Sequence, residues 1–332
     1  MLVRSDLNVP LEDGRVADDT RIRASLPTLE YLLAHDAKEV AVCSHLGRPK
    51  GPDPALSMTP VARRLRELLP DERIDVLENT RFDPGETSND PEFARTLADE
   101  YELFVEDAFG SVHRAHASTV GVAELLPAYA GLLLEQELEH LGKLLAEVEH
   151  PFVLISGGAK VEDKLGVLRN LGGKADTVLV GGKMAEELRE SSPLGFEVEL
   201  PVDVVAASEF AEGAETKVVP YEELPDGWLG LDIGPVTRKR FAATVAPAKT
   251  IFWNGPMGVF EWEPFAPGTK AVAEAVAGAD AYSVVGGADS IRALNELGLV
   301  DKVSWASTGG GAALELLEGK ELPGVAVIPA AS

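Results

Sequence analysis

Short apolar runs alternate with longer amphipathic stretches along this chain, and that alternation limits its possible folds more than any other feature. The apolar runs indicate buried strands, and the amphipathic stretches between them indicate helices. Strands that are apolar on both faces belong to parallel sheets covered by helices on each side. The pattern predicts an α/β protein with strands at residues 2–4, 40–44, 74–77, 103–105, 152–155, 177–180, 250–253, 282–285 and 303–305.

A segment rich in leucine and glutamate between residues 132 and 149 interrupts the alternation and predicts one long helix. The alternation starts again after Pro151. We therefore predict two doubly wound, mostly parallel-sheet domains of the Rossmann-like type, joined by this connecting helix and with a cleft between them. The predicted segments are 1–131 for the first domain, 132–150 for the connecting helix and hinge, 151–318 for the second domain and 319–332 for a tail.

The net charge of −25 comes from 55 acidic and 30 basic residues, and no basic stripe is present to neutralise the phosphates of a nucleic acid. We therefore expect no nucleic-acid partner. No apolar run is as long as a membrane span and no signal peptide precedes the first strand, so we expect a cytoplasmic protein with no membrane partner. The acidity is either a solubilising surface or an adaptation to a salty cytoplasm, and its even spread along the chain favours the second, halophilic interpretation.

Cys43 is the only cysteine, and it lies inside an apolar run. An intramolecular disulfide is therefore impossible, and we expect an inert core thiol rather than a nucleophile.

Polar and cationic side chains follow each predicted strand of the first half. Because the carboxyl ends of parallel strands meet at one edge of a sheet, we expect these side chains to converge. They are Asp6, Asn8, Arg21, His45, Arg48, Arg81, His113, Arg114 and His116. Two like charges about 4 Å apart repel each other by roughly 4 kcal/mol at an effective dielectric near 20. Converging cations therefore predict a bound anion, and arginine suits a carboxylate or phosphate. One alternative is that each arginine pairs with a neighbouring carboxylate. Another is that the loop of His113 and His116 is a solvated surface loop. A metal site at these two histidines is disfavoured because the sequence offers no further ligands nearby.

Glycines, rather than arginines, follow the predicted strands of the second half. Gly157 and Gly158 come after residues 152–155, with Lys160 and Lys164 close behind, and similar glycines follow the next strands. Glycine at a strand-to-helix turn lets backbone N–H groups approach a phosphate, so four such turns favour a nucleotide. The sequence has no GxxxxGK[ST] motif, and STGGGA lacks the last glycine of GxGxxG. A nucleotide domain opposite a cationic domain favours phosphoryl transfer.

Nine segments, in order along almost the whole chain, resemble phosphoglycerate kinase. They are LVRSDLNVP, RIRASLPTL, SHLGRPKG, LENTRF, EDAFGSVHRAHAS, SGGAKVEDK, LDIGPVT, KTIFWNGPMGVFE and STGGGAALELLEGK. The resemblance implies a monomeric glycolytic and gluconeogenic enzyme that transfers the acyl phosphate of 1,3-bisphosphoglycerate to Mg-ADP, giving ATP and 3-phosphoglycerate. It also implies that the two domains close over their ligands and that the C-terminal tail returns towards the first domain.

The resemblance also implies a role for each matching residue. Asp6 and Asn8 would contact the glycerate hydroxyl and carboxylate region. Arg21, His45, Arg48, Arg81 and Arg114 would form the basic patch for 3-phosphoglycerate. Arg21, Lys160 and Lys164 would be catalytic, acting on the transferring phosphoryl group, and Asp289 would be the magnesium-linked aspartate. The nucleotide-binding positions would be Gly158, Lys164, Gly182, Asn254, Glu261 (ribose), Gly287, Ala288, Asp289, Ser290, Thr308, Gly309, Gly310 and Gly311.

The chain departs from the family pattern in places. It starts at the first strand, and its connections after Leu69 and Glu190 are short where the family carries extra strand and helix material. Lys183 replaces a small residue, and Ala288 replaces a glycine. Two other classes stay open from the residues themselves. One is a NAD-dependent dehydrogenase, which the missing strand–GxGxxG–helix unit disfavours, and the other is a non-catalytic two-lobed anion-binding protein.

Overall fold

Two parallel sheets of five strands each form the framework of the protein, and the computed structural model describes residues 1–330. The chain divides into a first unit, Met1–Glu139 with the segment from Glu321 onward, and a second unit, His140–Lys320. This division falls inside the segment that the sequence predicts as the connecting helix. The α/β class and the parallel sheets agree with the sequence-based expectation, whereas the domain boundaries at 131, 150 and 318 stay predictions.

The sheet of the first unit has the strand order β5-β4-β1-β6-β7, and all its strand pairs are parallel. A short hairpin, β2 with β3, lies outside this sheet. The strands are β1 (Leu2–Arg4), β2 (Leu11–Glu12), β3 (Arg15–Val16), β4 (Val40–Cys43), β5 (Ile74–Val76), β6 (Phe104–Glu106) and β7 (Ala128–Ala130). The first four helices are α1 (Thr20–Ala34), α2 (Thr59–Leu68), α3 (Gly85–Ser88) and α4 (Pro91–Ala98).

Both faces of this sheet are buried, as the continuous apolar strands predict. Val3 and Val42 pack with helices α1 and α2 on one face. Leu2 and Cys43 belong to a second cluster on the other face. Cys43 is free and fully buried, which confirms its predicted place in the core, and burial raises the pKa of its thiol to about 12.

The predicted connecting helix is present as α5 (Leu132–Leu145), four residues shorter than the leucine-rich pattern. The segment after Leu145 leads to Pro151, and a residue before proline avoids the helical conformation. The free N–H groups in the first turn of α5 are bound by side chains from other segments, because Gly131 has no side chain that could accept from them. Leu132 N–H donates to Thr28 Oγ1 at 3.0 Å, and Leu133 N–H donates to Asp107 Oδ1 at 2.9 Å.

The sheet of the second unit has the order β15-β14-β13-β8-β9, again parallel throughout. An antiparallel sheet, β11-β10-β12, accompanies it and has no counterpart among the predicted strands. The strands are β8 (Phe152–Ser156), β9 (Thr177–Val180), β10 (Asp203–Ala207), β11 (Thr216–Pro220), β12 (Leu229–Ile233), β13 (Thr250–Asn254), β14 (Tyr282–Gly286) and β15 (Trp305–Ser307). The predicted strand at 303–305 therefore starts two residues later than expected, where pairing with β14 begins.

The remaining helices cover the second sheet and end the chain. They are α6 (Leu165–Gly172), α7 (Lys183–Glu190), α8 (Pro235–Val245), α9 (Pro267–Gly278), α10 (Ala288–Glu296), α11 (Gly311–Leu317) and α12 (Pro323–Ala326). Helix α12 belongs to the first unit, where Gly324 N–H donates to the Val112 carbonyl at 2.9 Å. Within residues 1–330, no helix has the length and apolar character needed to cross a membrane.

Candidate active site

The carboxyl ends of β5, β4 and β6 bring three of the predicted arginines to one cavity of about 420 Å³. We call it the arginine cavity. Its charged and titratable lining residues are Arg48, Lys50, Arg81, Asp83, Arg114 and His116. Four permanent cations face one carboxylate here, in a chain with nearly twice as many acidic as basic residues. Lys50 was not singled out from the sequence, although it directly follows the SHLGRP segment.

Arg81 is the best-defined cation of this cavity. Its Nη1 donates to the Gly47 carbonyl at 2.6 Å, while its Nε is buried and has no partner in the described chain. Burial lowers the pKa of Arg81, and the nearby guanidinium groups of Arg114 and Arg4 lower it further. The convergence itself is seen in the shared cavity of Arg48, Arg81 and Arg114, which is the arrangement that the sequence predicts for an anion site.

Arg21 lies at the start of α1 and forms an ion pair with Asp6. Arg21 Nη1 is 2.6 Å from Asp6 Oδ2, and the Arg21 side chain is 35% exposed. The alternative of a carboxylate partner therefore holds for Arg21 in this structure. Asn8 lies beside it and accepts a hydrogen bond from Gly47 N–H at 2.9 Å, which links the β1 end to the SHLGRP loop.

His45 is buried at the end of β4. Its Nδ1 lies 2.9 Å from Nη2 of Arg4, which can only donate. Burial lowers the pKa of His45, and the charges of Arg4 and Arg81 lower it further. The contact with Arg4 is that of a neutral ring whose Nδ1 accepts, and the membership of His45 in the basic patch stays a prediction. The predicted contact between His45 and the substrate also stays a prediction.

The two histidines of the loop after β6 differ in their surroundings. His113 Nε2 accepts a hydrogen bond from Arg114 Nε at 3.0 Å, so it contacts the arginine directly. His116 lines the arginine cavity, and its Nδ1 is 3.8 Å from Glu86 Oε1. Burial lowers the pKa of His116, although the Glu86 carboxylate opposes this. Within residues 1–330 there is no group of three potential metal ligands, so the metal alternative for these histidines finds no support.

Arg4 and Glu86 are two fully buried charged residues that sequence reasoning missed. Arg4 is the last residue of strand β1, and the sequence pattern predicts no more for it than a place in that strand. Glu86 lies in the short helix α3, where an acidic residue resembles any surface carboxylate. The only signal for Arg4 was a charge inside an apolar run, and Glu86 gave none.

In the second unit, the predicted nucleotide-binding residues stand at or after the carboxyl ends of all five parallel strands. A cavity of about 400 Å³, the glycine cavity, gathers several of them. Its polar and glycine lining residues include Gly158, Gly182, Lys183, Glu186, Glu261 and Asp289. Its apolar lining residues include Phe210, Leu229, Leu231, Pro256 and Val259. A pocket lined by both kinds of residue suits a base joined to a ribose and phosphates.

Phe210 and Glu186 are lining residues that the sequence did not single out. Phe210 is 64% exposed, and its ring centroid lies 4.8 Å from that of Trp262. Burial raises the pKa of Glu186, which the neighbouring Lys183 opposes. Lys183, the departure from the family pattern, therefore lines the cavity together with a carboxylate.

Lys164 is held at the edge of the sheet by Asn254. Its Nζ donates to the Asn254 backbone carbonyl at 2.9 Å and also to the side-chain Oδ1. Burial lowers the pKa of Lys164 to about 8, although Asp289 and Asp163 oppose the shift. Gly255, with φ of +97°, is required beside it, because a Cβ there would collide with the Gly157 carbonyl and with Lys164 Nζ.

The other predicted residues of this half have diverse positions. Lys160 is exposed and does not line the glycine cavity. Ser290 is fully buried and accepts a hydrogen bond from Gly255 N–H at 2.7 Å, so it supports the loop from behind. Gly287 and Ala288 begin helix α10, and Glu261 pairs with Arg292 at 2.9 Å. The run Thr308, Gly309, Gly310 and Gly311 lies at the end of β15 and the start of α11, outside the lining of this cavity.

Asp289 fits the expected magnesium position by its chemistry. Its carboxylate is exposed in the first turn of α10, lines the glycine cavity and is close enough to influence the pKa of Lys164. Magnesium is commonly held by one or two carboxylates together with substrate phosphates and water. An exposed carboxylate in this cavity therefore suits an ion that arrives with a nucleotide.

Comparisons with known proteins agree with this geometry. The family model described as phosphoglycerate kinase matches residues 1–75, 69–193 and 186–320. The phosphoglycerate kinase of Rubrobacter xylanophilus is 53% identical, covering 99% of this chain and 95% of that protein. That of Thermus thermophilus is 48% identical, covering 99% of this chain and 96% of that protein. The solved phosphoglycerate kinase of Coxiella burnetii superposes with a TM-score of 0.86 at 37% identity, covering 98% of this chain and 95% of that one.

The structure thus has a cationic cavity in its first unit and a glycine-lined cavity in its second. The relatives match over nearly their full length. The chain therefore belongs to the phosphoglycerate kinase family and is a kinase that transfers a phosphoryl group between phosphoglycerate and a nucleotide.

Proposed function

We propose that the arginine cavity is where this kinase binds 3-phosphoglycerate and the glyceryl part of 1,3-bisphosphoglycerate. The observation that carries the proposal is the convergence of Arg48, Arg81 and Arg114, none of which has a carboxylate within 4.0 Å in the described chain. A phosphate and a carboxylate on one small ligand would supply the missing negative charge. Asp6, Asn8 and His45 lie beside this set and are proposed to contact the glycerate region.

We propose that the glycine cavity binds ADP and ATP. The apolar wall around Phe210 and Leu231 would take the base, Glu261 the ribose hydroxyls and Gly158 with Gly182 the phosphates. Lys164 would contact a phosphate at the site of transfer, with Lys160 as a second cation. The remaining proposed contacts are Asn254, Gly287, Ala288, Asp289, Ser290, Thr308, Gly309, Gly310 and Gly311.

The proposed mechanism is positioning together with charge compensation. Arg21 leaves Asp6 to contact the transferring phosphoryl group, and Lys164 contacts it from the nucleotide side. Magnesium, when bound, would neutralise part of the nucleotide phosphate charge, with Asp289 holding it. An acyl phosphate is a reactive donor and its carboxylate is a good leaving group, so no general base is required. Closure of the two units over the ligands would exclude water as a competing acceptor.

The proposal is tested by a coupled assay with ATP, magnesium and 3-phosphoglycerate, together with calorimetric binding of each ligand alone. We expect 3-phosphoglycerate to bind wild-type protein and to lose most of its affinity in the Arg81→Ala variant, while ADP binding is unchanged. Arg66→Ala is the matched control, because Arg66 is exposed on α2 and does not line the cavity. Loss of ADP binding in Arg81→Ala, with 3-phosphoglycerate binding intact, would contradict the assignment of the two sites.

We further propose a monomer, a cytoplasmic location and adaptation of the acidic surface to high salt. The net charge of −25 supports the monomer and the salt adaptation indirectly, since strong self-repulsion disfavours association and is screened by salt. Size-exclusion chromatography with light scattering tests the monomer directly. A stable dimer at micromolar concentration would contradict it.

A further inference from the structure

A directional chain of buried hydrogen bonds lies beside the arginine cavity. Both carboxylate oxygens of Glu86 accept from Ser118, Oε1 from its hydroxyl at 2.6 Å and Oε2 from its N–H at 3.0 Å. The Ser118 hydroxyl accepts in turn from Nε of Arg4 at 2.9 Å. Glu86, Ser118 and Arg4 all have no exposed surface. A guanidinium group has donors only, so Arg4 must donate to the Ser118 hydroxyl, which in turn donates to Glu86.

The other end of Arg4 meets His45. Nη2 of Arg4 lies 2.9 Å from Nδ1 of His45, so this nitrogen must present its lone pair. A neutral imidazole whose Nδ1 accepts carries its proton on Nε2. Nε2 has no protein partner in the described chain and is not among its buried atoms, so a ligand can reach it.

Charge explains why a neutral donor is useful at this position. Arg4, Arg81, Arg114 and His116 are the charged or titratable groups that act on the ring of His45. Protonation of His45 would add another cation to this set, where each close pair of like charges is unfavourable at low dielectric. A neutral N–H still gives a directed hydrogen bond to an oxygen of the ligand, without that repulsion.

We propose that Arg4 is a positioning residue of the kinase, which holds His45 as a neutral Nε2–H donor to phosphoglycerate. The chain from Glu86 through Ser118 fixes the guanidinium, and the guanidinium fixes the imidazole. The inference rests on the proposed function, in which His45 contacts that ligand. It adds the protonation state and tautomer of His45, and the residues that impose them.

The direct test is nitrogen NMR of the imidazole rings in full-length protein labelled at histidine, with His45 assigned through the His45→Gln variant. We expect the pattern of a neutral ring with its proton on Nε2, unchanged from about pH 5.5 to about pH 8.5, across the range where free histidine titrates. The five other histidines of the chain provide reference signals in the same spectra. A proton on Nδ1, or a titration of His45 within this range, would overturn the proposal.

Kinetics of two His45 variants test the donor role. The amide side chain introduced by His45→Gln keeps both functions, because its carbonyl can accept from Arg4 while its NH₂ group donates to the ligand. His45→Phe keeps the ring shape and loses both. We expect His45→Phe to raise KM for 3-phosphoglycerate by about tenfold, the effect of losing one directed hydrogen bond, and His45→Gln to restore most of it. Equal KM values for wild type and His45→Phe would refute the donor role.

Variants of Arg4 separate its positioning role from a structural one. Arg4→Lys keeps the charge, but one nitrogen cannot serve both Ser118 and His45. We expect the His45 signals of this variant to show a mixture of tautomers and KM for 3-phosphoglycerate to rise about threefold to about thirtyfold. A folded Arg4→Lys variant with a wild-type His45 spectrum would show that Arg4 does not set the tautomer. If that variant fails to fold, the wild-type spectrum decides alone.

The outcomes also distinguish this inference from the proposed function. If His45→Phe raises KM but wild-type His45 carries its proton on Nδ1, phosphoglycerate contacts His45 and the role of Arg4 is refuted. If the spectrum shows Nε2–H but no variant of the arginine cavity changes KM, the proposed binding site is wrong.

Discussion

At the scale of single residues, the arginines near the proposed phosphoglycerate site differ in whether a protein group already binds their guanidinium. Arg81 has a buried Nε without a partner in the described chain, whereas Arg21 already pairs with Asp6. In the free protein Arg81 therefore keeps a donor available for an anion. Arg21 must give up its ion pair with Asp6 before it can contact a phosphoryl group. We therefore expect the two residues to affect different steps, Arg81 binding and Arg21 transfer.

Arg21→Ala should reduce kcat by a factor of about 10² to about 10³, because it removes a donor from the transferring phosphoryl group. The free energy of unfolding should change by less than about 1 kcal/mol, because the ion pair with Asp6 is partly exposed. Arg23→Ala is the matched control on the same helix, since Arg23 pairs with Asp19 and is exposed. If Arg21→Ala unfolds the protein while the control is stable, Arg21 is a structural ion-pair partner instead.

Lys164 gives a prediction for pH dependence. Its pKa of about 8 means that its charge is present below pH 8 and is lost as pH rises through that value. A bound phosphate favours the charged form, so Mg-ATP binding near pH 8, which brings the transferring phosphoryl group to Lys164, should take up a proton. Calorimetry in two buffers with different ionisation enthalpies measures this uptake. Lys164→Arg, which stays charged, should bind without it, and wild-type binding without proton uptake would contradict the prediction.

Sequence patterns located residues of the site only where a charge or glycine stood in a loop after a strand. Arg48, Arg81 and Arg114 meet that condition, and they share one cavity. Arg4 and Glu86 do not, because pairing of buried charges across distant segments is a property of the tertiary structure. The contact between Arg4 and His45 was missed for the same reason, since the two residues lie 41 positions apart in the sequence.

At the scale of elements, the predicted parallel strands are present within one or two residues at their ends, because continuous apolar runs are a strong signal for buried strands. The three strands of the antiparallel sheet were not predicted, and exposure accounts only for β11, because β10 is fully buried. A strand without an apolar face gives no alternation to detect. Helix α5 was predicted, but its external cap was not, because Thr28 and Asp107 come from other segments.

The cap of α5 can be tested at Asp107. Asp107→Ala removes the acceptor for Leu133 N–H and should lower the free energy of unfolding by about 1 to about 2 kcal/mol. Asp107→Asn keeps an acceptor oxygen. Burial raises the pKa of Asp107 to about 7, so a neutral side chain costs little here, and this variant should be close to wild type. Urea unfolding at neutral pH measures both, and equal stability of all three proteins would contradict the capping role.

At the scale of the whole molecule, the family match falls into three stretches. The three family matches meet at residues 69–75 and 186–193, where the sequence has its short connections. At the first connection, α2 ends at Leu68 and β5 begins at Ile74. Near the second, β9 is the edge strand of its sheet, and within residues 1–330 its free side forms only an isolated β-bridge, between Leu179 and Glu199. Both sites lie at other strand ends, so these short connections remove none of the proposed site residues.

The acidic surface predicts a response to salt. With a net charge of −25, screening by molar KCl should raise Tm by at least about 2 °C, which corresponds to about 1 kcal/mol in domains of this size. An equal osmolality of glucose serves as the control for excluded-solute effects. Activity and Tm that are the same in low salt and in molar KCl would remove the case for salt adaptation.

The central claim is that phosphoglycerate binds through the arginines at the carboxyl ends of the first sheet, and steady-state kinetics of Arg114→Ala tests it most directly. Arg114 lines the cavity, and its Nε contacts His113. We predict that KM for 3-phosphoglycerate rises by about tenfold or more, the effect of removing a charge-assisted contact, while KM for ATP stays within about twofold. Unchanged KM for 3-phosphoglycerate, or a rise in KM for ATP alone, would contradict the account.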